Sequence, residues 1–259
     1  MIDRMQFPTQ TPLYYATNRD RYERQKLIKD IEAYTERKLI VYVANLNHPS
    51  SSITRDDILP FTDLCHDIQL NEPIDFMLHS PGGNPDAAEQ LVNILLSRSK
   101  DIRVIIPQTA KSAATMIALV ADVILMSDSS ELGPIDPQIT FNTPQGLQRR
   151  PAMALLKGLE DIQKEVVNNN GLNPVYFPIL QGIDPALIHF CKQAEKHALS
   201  LATKWLLRSM CKGDPVRAES IAKQLLNIEQ YPSHGQVINW EEAKRIGLKV
   251  EYLPLDDKT

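Results

Sequence analysis

Residues 74 to 83 run Ile74-Asp75-Phe76-Met77-Leu78-His79-Ser80-Pro81-Gly82-Gly83, and residues 102 to 115 repeat the same plan. There, Ile102-Arg103-Val104-Ile105-Ile106 ends at Pro107, and a polar turn leads to Ala110-Lys111-Ser112-Ala113-Ala114-Thr115. Each is a short apolar run, then a turn, then a stretch with helical spacing. After Gly83 the helical stripe is Ala87, Ala88, Leu91, Val92, Ile94 and Leu95; after Lys111 a small-residue helix is predicted from Ser112 to Ala121. Val123-Ile124-Leu125-Met126 then reads as another strand, and Leu39 to Ala44 as an earlier one. Strands alternating with helices over such short connections predict an α/β fold with a mostly parallel sheet and right-handed crossovers.

Outward from this centre the text is more helical. Leu27, Ile28, Ile31 and Tyr34 share one side of a charged segment from Asn18 to Lys38, whereas residues 1–18, with Pro8 and Pro12, read as irregular. Asp56 to Leu70 reads as a helix with a possible break at Pro60. Thr140 to Arg150 reads as an exposed loop or short hairpin. Helices are predicted over Ala152 to Asn168, Pro185 to Cys211 and Pro215 to Asn227, and a short helix from Asn239 to Ile246 stops at Gly247 before a last strand, Lys249 to Leu253. The organisation expected is an N-terminal segment and helix (1–37), an α/β core (38–180), and a helical extension (181–259) that returns a final strand to the core.

The chain has 259 residues, enough for one sizeable α/β core. With 43% apolar and 23% charged residues it has ordinary globular composition. A formal net charge of −4 argues against a chain built to coat nucleic acid, although Arg149-Arg150 is a local basic patch. No apolar run reaches the ~18–20 residues of a membrane-spanning helix. The stretch from Met1 to Pro8 lacks an apolar leader core, so a cytoplasmic location is the default expectation. Cys65, Cys191 and Cys211 are far apart and odd in number, and read as reduced thiols. No His/Asp/Glu spacing fits a metal site, and no cofactor is expected.

Ligands of open α/β sheets bind off the carboxyl ends of the strands, where both turns lie. Glycine permits positive φ and leaves its N–H uncovered, so Gly82-Gly83 could present backbone donors to an anion. Ser112 opens a helix of small residues. An N-cap serine, worth about 1 kcal/mol, would account for it alone. A serine hydroxyl together with two backbone donors is, however, the minimum apparatus for acyl transfer.

Ser80-Pro81-Gly82-Gly83 followed by Ala110-Lys111-Ser112-Ala113-Ala114-Thr115 resembles the serine peptidases of the ClpP/crotonase superfamily. The nearest branch is the serine dehydrogenase proteinase family. Three further segments carry that resemblance: Glu131 to Gln138, Ser233 to Ile238, and Glu242 to Leu248. It covers roughly residues 38 to 250. The resemblance implies repeated ββα units around the sheet and a serine peptidase with Ser112 as nucleophile. Gly82 or Gly83 and the N–H of Ala113 would form the oxyanion hole. It also implies a peptide or protein substrate and a homo-oligomer, because the superfamily forms rings or trimer-based assemblies.

The base stays open between two readings. The chain order serine, aspartate, histidine implies Ser112, Asp136 and His234, with Asp136 orienting the imidazole. Where the Clp proteolytic subunit carries its histidine, this chain has Asp136. A serine–lysine dyad would instead use Lys157 or Lys164; Lys157 stands among Met153, Leu155, Leu156 and Leu159. His79 abuts the glycine turn, and the other histidines, His197 among them, read as surface or helix-face residues. A catalytically inactive ClpP-like scaffold and a crotonase-type acyl-CoA enzyme are the alternative functions.

Overall fold

The computed structural model describes residues 12–143, 146–169 and 171–254. Its strands are β1 (Lys38–Val43), β2 (Ile74–His79), β3 (Ile102–Ile106), β4 (Thr109–Ala110), β5 (Val123–Met126), β6 (Glu131–Leu132), β7 (Gln138–Thr143), β8 (Gly146–Pro151) and β9 (Val250–Tyr252). The main sheet has the order β1-β2-β3-β5-β9, and every pairing in it is parallel. Ile74, Phe76 and Leu78 of β2 and Ile102 and Val104 of β3 are fully buried and alternate onto one face of the sheet, which packs into the core.

The helices are α1 (Pro12–Thr17), α2 (Arg19–Thr35), α3 (Ile58–His66), α4 (Pro85–Arg98), α5 (Ala113–Ala118), α6 (Ala152–Asn168), α7 (Phe177–Gln181), α8 (Pro185–Arg208), α9 (Pro215–Leu226) and α10 (Trp240–Arg245). Crossovers α3, α4 and α5 connect the first four strands of the sheet. Helix α4 starts where Asn84 Oδ1 accepts from the Ala87 N–H at 2.9 Å, with Pro85 next in line. It then buries Ala87, Ala88, Leu91, Val92 and Leu95. The long insertion between β5 and β9 contains the β7–β8 hairpin and helices α6 to α10. Trp205 of α8 and Ile221 and Leu225 of α9 join the central core, whereas Ile139, Ala152, Leu156 and Cys191 form a smaller separate cluster.

Off the carboxyl ends of the main strands, short bridges form a second ladder. Ile53 pairs with Gly83, Ser80 with Ala110, Ala110 with Leu132, and Leu132 with Ile238. Five chain segments distant in sequence are thereby set side by side on the edge where α/β sheets bind ligands.

At the opposite, amino end of β2, Asp75 is fully buried. It accepts from Arg37 Nε at 2.7 Å and from Arg103 Nε and Nη2 at 2.8 and 2.7 Å. Two guanidiniums neutralise this carboxylate, which is the arrangement a buried charge needs.

The local departures from expectation have simple causes. Residues 12–17 form a helix rather than irregular chain, because a proline at the first helical position lacks only an N–H that would be unbonded anyway. For the same reason Pro60, in the first turn of α3, does not break it. The residues around Thr140 to Arg150 form the antiparallel β7–β8 pair, with Gln138 opposite Pro151. Helix α5 ends at Ala118, three residues earlier than the small-residue run predicts. Residues 1–11 of the expected irregular segment lie outside the described residues. The three cysteines are buried and unpaired.

Candidate active site

The ladder positions the chemistry-bearing residues one by one. Gly82-Gly83 follows Ser80, Ser112 follows Ala110, Asp136 follows Leu132, and His234 precedes Ile238, each within four residues of its bridge. Lys111 fastens the far side of this arrangement. Its Nζ donates to the carbonyls of Leu132 and Gln236, both at 3.0 Å, and lies 3.1 Å from Glu131 Oε2. Burial pushes its ammonium below the ordinary lysine range, an effect that the Glu131 bond opposes. The loop bearing His234 is therefore tied to the residue that precedes Ser112. Thr115 adds a further tie, donating to Ala110 O at 2.7 Å and accepting from the Gly133 N–H at 3.0 Å.

Ser112 stands at the N-cap position of α5 but makes no side-chain capping bond. Its backbone has φ 53° and ψ −121°, outside the regions that ordinary L-residues populate. Such a conformation costs about 1–3 kcal/mol and persists only where surrounding structure enforces it. Packing enforces it here. A Cβ on Gly82 would lie 2.4 Å from Lys111 O, 2.8 Å from Ser112 Cβ and 3.0 Å from Ala113 N, so only glycine fits against the serine turn. The φ of Gly82 is +91°. The hydroxyl of Ser112 is thus held on a tight, strained turn without being consumed by the helix end.

The two glycines differ as donors. The Gly82 N–H donates to Ser80 Oγ at 3.1 Å. Among the described residues, the N–H groups of Gly83 and Ala113 have no hydrogen-bond partner. Both residues line the same cavity as Ser112.

That cavity, about 500 Å³, is lined also by Asp136 and His234. Asp136 is 2% exposed, and its Oδ1 accepts from His234 Nδ1 at 2.7 Å. This bond holds the proton on Nδ1 and leaves Nε2 as the acceptor of the neutral ring. Asp136 Oδ2 accepts from Gln138 Nε2 at 2.5 Å. Helix α8 closes one wall with Phe190, Ala194, His197 and Ala198, which share one helical face. Met116, Ile135 and Ile139 supply apolar surface, and Arg149 of β8 stands at the rim.

The lysines are elsewhere. Lys157 does not line this cavity and pairs with Glu229; Lys164 pairs with Asp161 at 3.2 Å. The apolar neighbours of Lys157 in sequence face the smaller cluster and a different groove, so the amine points to another acid rather than to Ser112. His79 also lies outside the lining, and its Nδ1 accepts from the Thr109 N–H at 3.2 Å. His197, read from sequence as a surface residue, is exposed but belongs to the cavity wall. Gln138, Phe190 and Arg149 also line the cavity without having been singled out as site residues. The i, i+4, i+7 spacing of Phe190, Ala194 and His197 was the available signal for the α8 wall. Among the described residues, no group of three or more His, Cys, Asp or Glu could hold a metal ion, and no helix is long and apolar enough to cross a membrane.

Comparison with known proteins gives the family. The family of ClpP-like SDH-type serine proteinases matches residues 66–254. The uncharacterized protein MJ0137 of Methanocaldococcus jannaschii is 32% identical over 181 residues, covering 70% of this chain and 54% of that protein. MJ1495 of the same organism is 45% identical over 67 residues, 26% of this chain and 23% of its own length. This chain thus spans about half of the first relative and under a quarter of the second. Among solved structures, a mutant of the 1510-N membrane-bound stomatin-specific protease aligns with TM-score 0.49 and 17% identity over 83% of this chain and 80% of that one. ClpP1 from Listeria monocytogenes aligns with TM-score 0.48 and 14% identity over 90% and 96%. On the family match, which takes in the Ser112 turn, Asp136 and His234, this chain belongs to the ClpP-like SDH-type serine proteinases.

Proposed function

We propose that this chain is an active serine peptidase that cleaves peptide bonds through an acyl-enzyme on Ser112. The observation that carries the reading is the 2.7 Å bond from His234 to the buried Asp136, in the cavity that also holds Ser112 and two unbonded backbone N–H groups. His234 Nε2 takes the Ser112 proton as Oγ attacks the scissile carbonyl, and Asp136 stabilises the imidazolium that forms. The N–H groups of Gly83 and Ala113 receive the oxyanion, where each donor is worth about 2.7–4 kcal/mol. Collapse breaks the C–N bond, and His234 returns its proton to the departing amine. Water, deprotonated by the same imidazole, then attacks the ester and releases Ser112.

Lys157 is not the base in this reading, and a wholly inactive scaffold would have no use for a strained serine that lines one cavity with a histidine bound to a buried aspartate. A fluorophosphonate probe tests it. Labelling of the folded protein that is lost in Ser112→Ala, together with hydrolysis of a peptide library that is lost in the same variant, is the expected result. Folded wild-type protein that takes up no probe would sink the proposal and leave the scaffold reading.

A further inference from the structure

Among the described residues two aspartates are buried, in different ways, and the contrast identifies a role for Gln138. Asp75 is neutralised by Arg37 and Arg103. Asp136, whose side chain is 1% exposed, has no arginine or lysine within ion-pair distance among the described residues. Its two oxygens are divided between the His234 imidazole on Oδ1 and the Gln138 amide on Oδ2. An ionised carboxylate only accepts, so the amide must turn its nitrogen to Oδ2. A buried oxygen left without a donor would be costly, and a guanidinium in this place would draw the negative charge away from the imidazole.

Gln138 is itself held by more than its side chain. It opens β7 opposite Pro151, and the adjoining Ile139 and Ala152 are buried in the smaller cluster. The amide is therefore delivered by a packed strand end.

We infer that Gln138 is a positioning residue: it fixes the Asp136 carboxylate toward His234 as a neutral donor and limits how much charge the carboxylate directs at the imidazole. The inference rests on the Ser112–His234–Asp136 reading above. Losing the amide leaves Oδ2 unpaired, so the full charge of Asp136 falls on His234. The imidazolium then persists to higher pH, and the free base needed to activate Ser112 appears later in a titration.

The test measures the rate of fluorophosphonate labelling of Ser112 from acid to alkaline pH in the wild type, Gln138→Leu and Gln138→Met, with thermal melting as the folding control. Gln138→Leu is expected to slow labelling at neutral pH by about 10- to 100-fold, the scale of a lost hydrogen bond to a charged group. Its acid limb is expected to move to higher pH. Gln138→Met keeps the length of the side chain without the amide, and is expected to move the limb in the same direction. It also serves if the leucine variant fails to fold. A folded variant whose limb stays in place, with its rate falling only as the folded fraction falls, would overturn the inference while the triad stands. A folded wild type that is not labelled would overturn both.

Discussion

His234 Nδ1 lies 2.7 Å from Asp136 Oδ1 although the two residues are 98 positions apart, and the bond closes across the ladder formed by Leu132 and Ile238. The backbone pairing is reciprocal, Leu132 N to Ile238 O at 2.9 Å and Ile238 N to Leu132 O at 3.0 Å. Four residues beyond each bridge partner, on opposite sides, stand Asp136 and His234. The imidazole is thus oriented by backbone registry as well as by its own hydrogen bond.

Asp136→Asn should separate orientation from charge. The amide keeps the size of the carboxylate but turns either an oxygen or an NH2 toward Nδ1, and the negative charge that supports the imidazolium is gone. In a serine triad the corresponding change costs on the order of 10⁴-fold. Labelling of Ser112 by a fluorophosphonate should fall by about three to four orders of magnitude in a protein that melts near the wild-type temperature. A fall below about tenfold would remove Asp136 from the mechanism.

Gly82→Ala and Gly146→Ala form a matched pair. Both glycines have positive φ, +91° and +105°, so both alanines carry the same kind of backbone strain. At Gly146 a new Cβ meets nothing within 4 Å, whereas at Gly82 it meets Lys111 O at 2.4 Å and Ser112 Cβ at 2.8 Å. Gly146→Ala is expected to cost about 1 kcal/mol in urea unfolding and to leave labelling intact. Gly82→Ala should cost more than that and displace Ser112, with labelling reduced beyond any loss of folded protein. Equal effects of the two would show that the close approach does not matter.

Lys157→Met decides between the bases. The amine of Lys157 pairs with Glu229 and stands outside the cavity lining, so its removal takes away only a partly exposed ion pair, worth at most about 1 kcal/mol. Peptide hydrolysis by the methionine variant should stay within about twofold of wild type, a change no larger than a loss of RT in barrier height would produce. Loss of hydrolysis with the fold retained would restore the serine–lysine dyad.

How much of this was legible in the sequence follows from how local each feature is. The strand-turn-helix units around Gly82 and Ser112 are written in consecutive residues, so the alternation of β2, α4, β3 and α5 and the parallel sheet could be read directly. The two-residue strands β4 and β6 could not, because two residues have no period. Asp136 and His234 carry no local pattern that links them; only their order, by resemblance to a family, singled them out together. Gln138 is an amide at the start of a hairpin, a composition that occurs wherever a strand begins. Lys157 was attractive because its sequence neighbours are apolar, but a helix sends neighbouring side chains in different directions, and that of Lys157 meets Glu229.

Arg37 gives an acid-stability test, because it spans a buried and an exposed carboxylate. Besides Asp75 it binds Asp101, with Nη2 at 2.8 Å from Oδ1 and Nη1 at 3.0 Å from Oδ2. These hydrogen bonds hold the Asp101 carboxyl below its usual range, although burial and the nearby cations also act on it. The unfolded chain therefore takes up the Asp101 proton at higher pH than the folded one. The contribution is complete above the usual carboxylate range and is lost as pH falls through the lowered folded value. Solvent screens Asp101, whose side chain is 57% exposed, so the expected size is below about 1 kcal/mol. Melting temperatures of wild type and Asp101→Asn should differ by a constant amount from about pH 7 to pH 5 and converge below about pH 4. A difference that persists unchanged into strong acid would mean that Asp101 contributes through packing rather than through its charge.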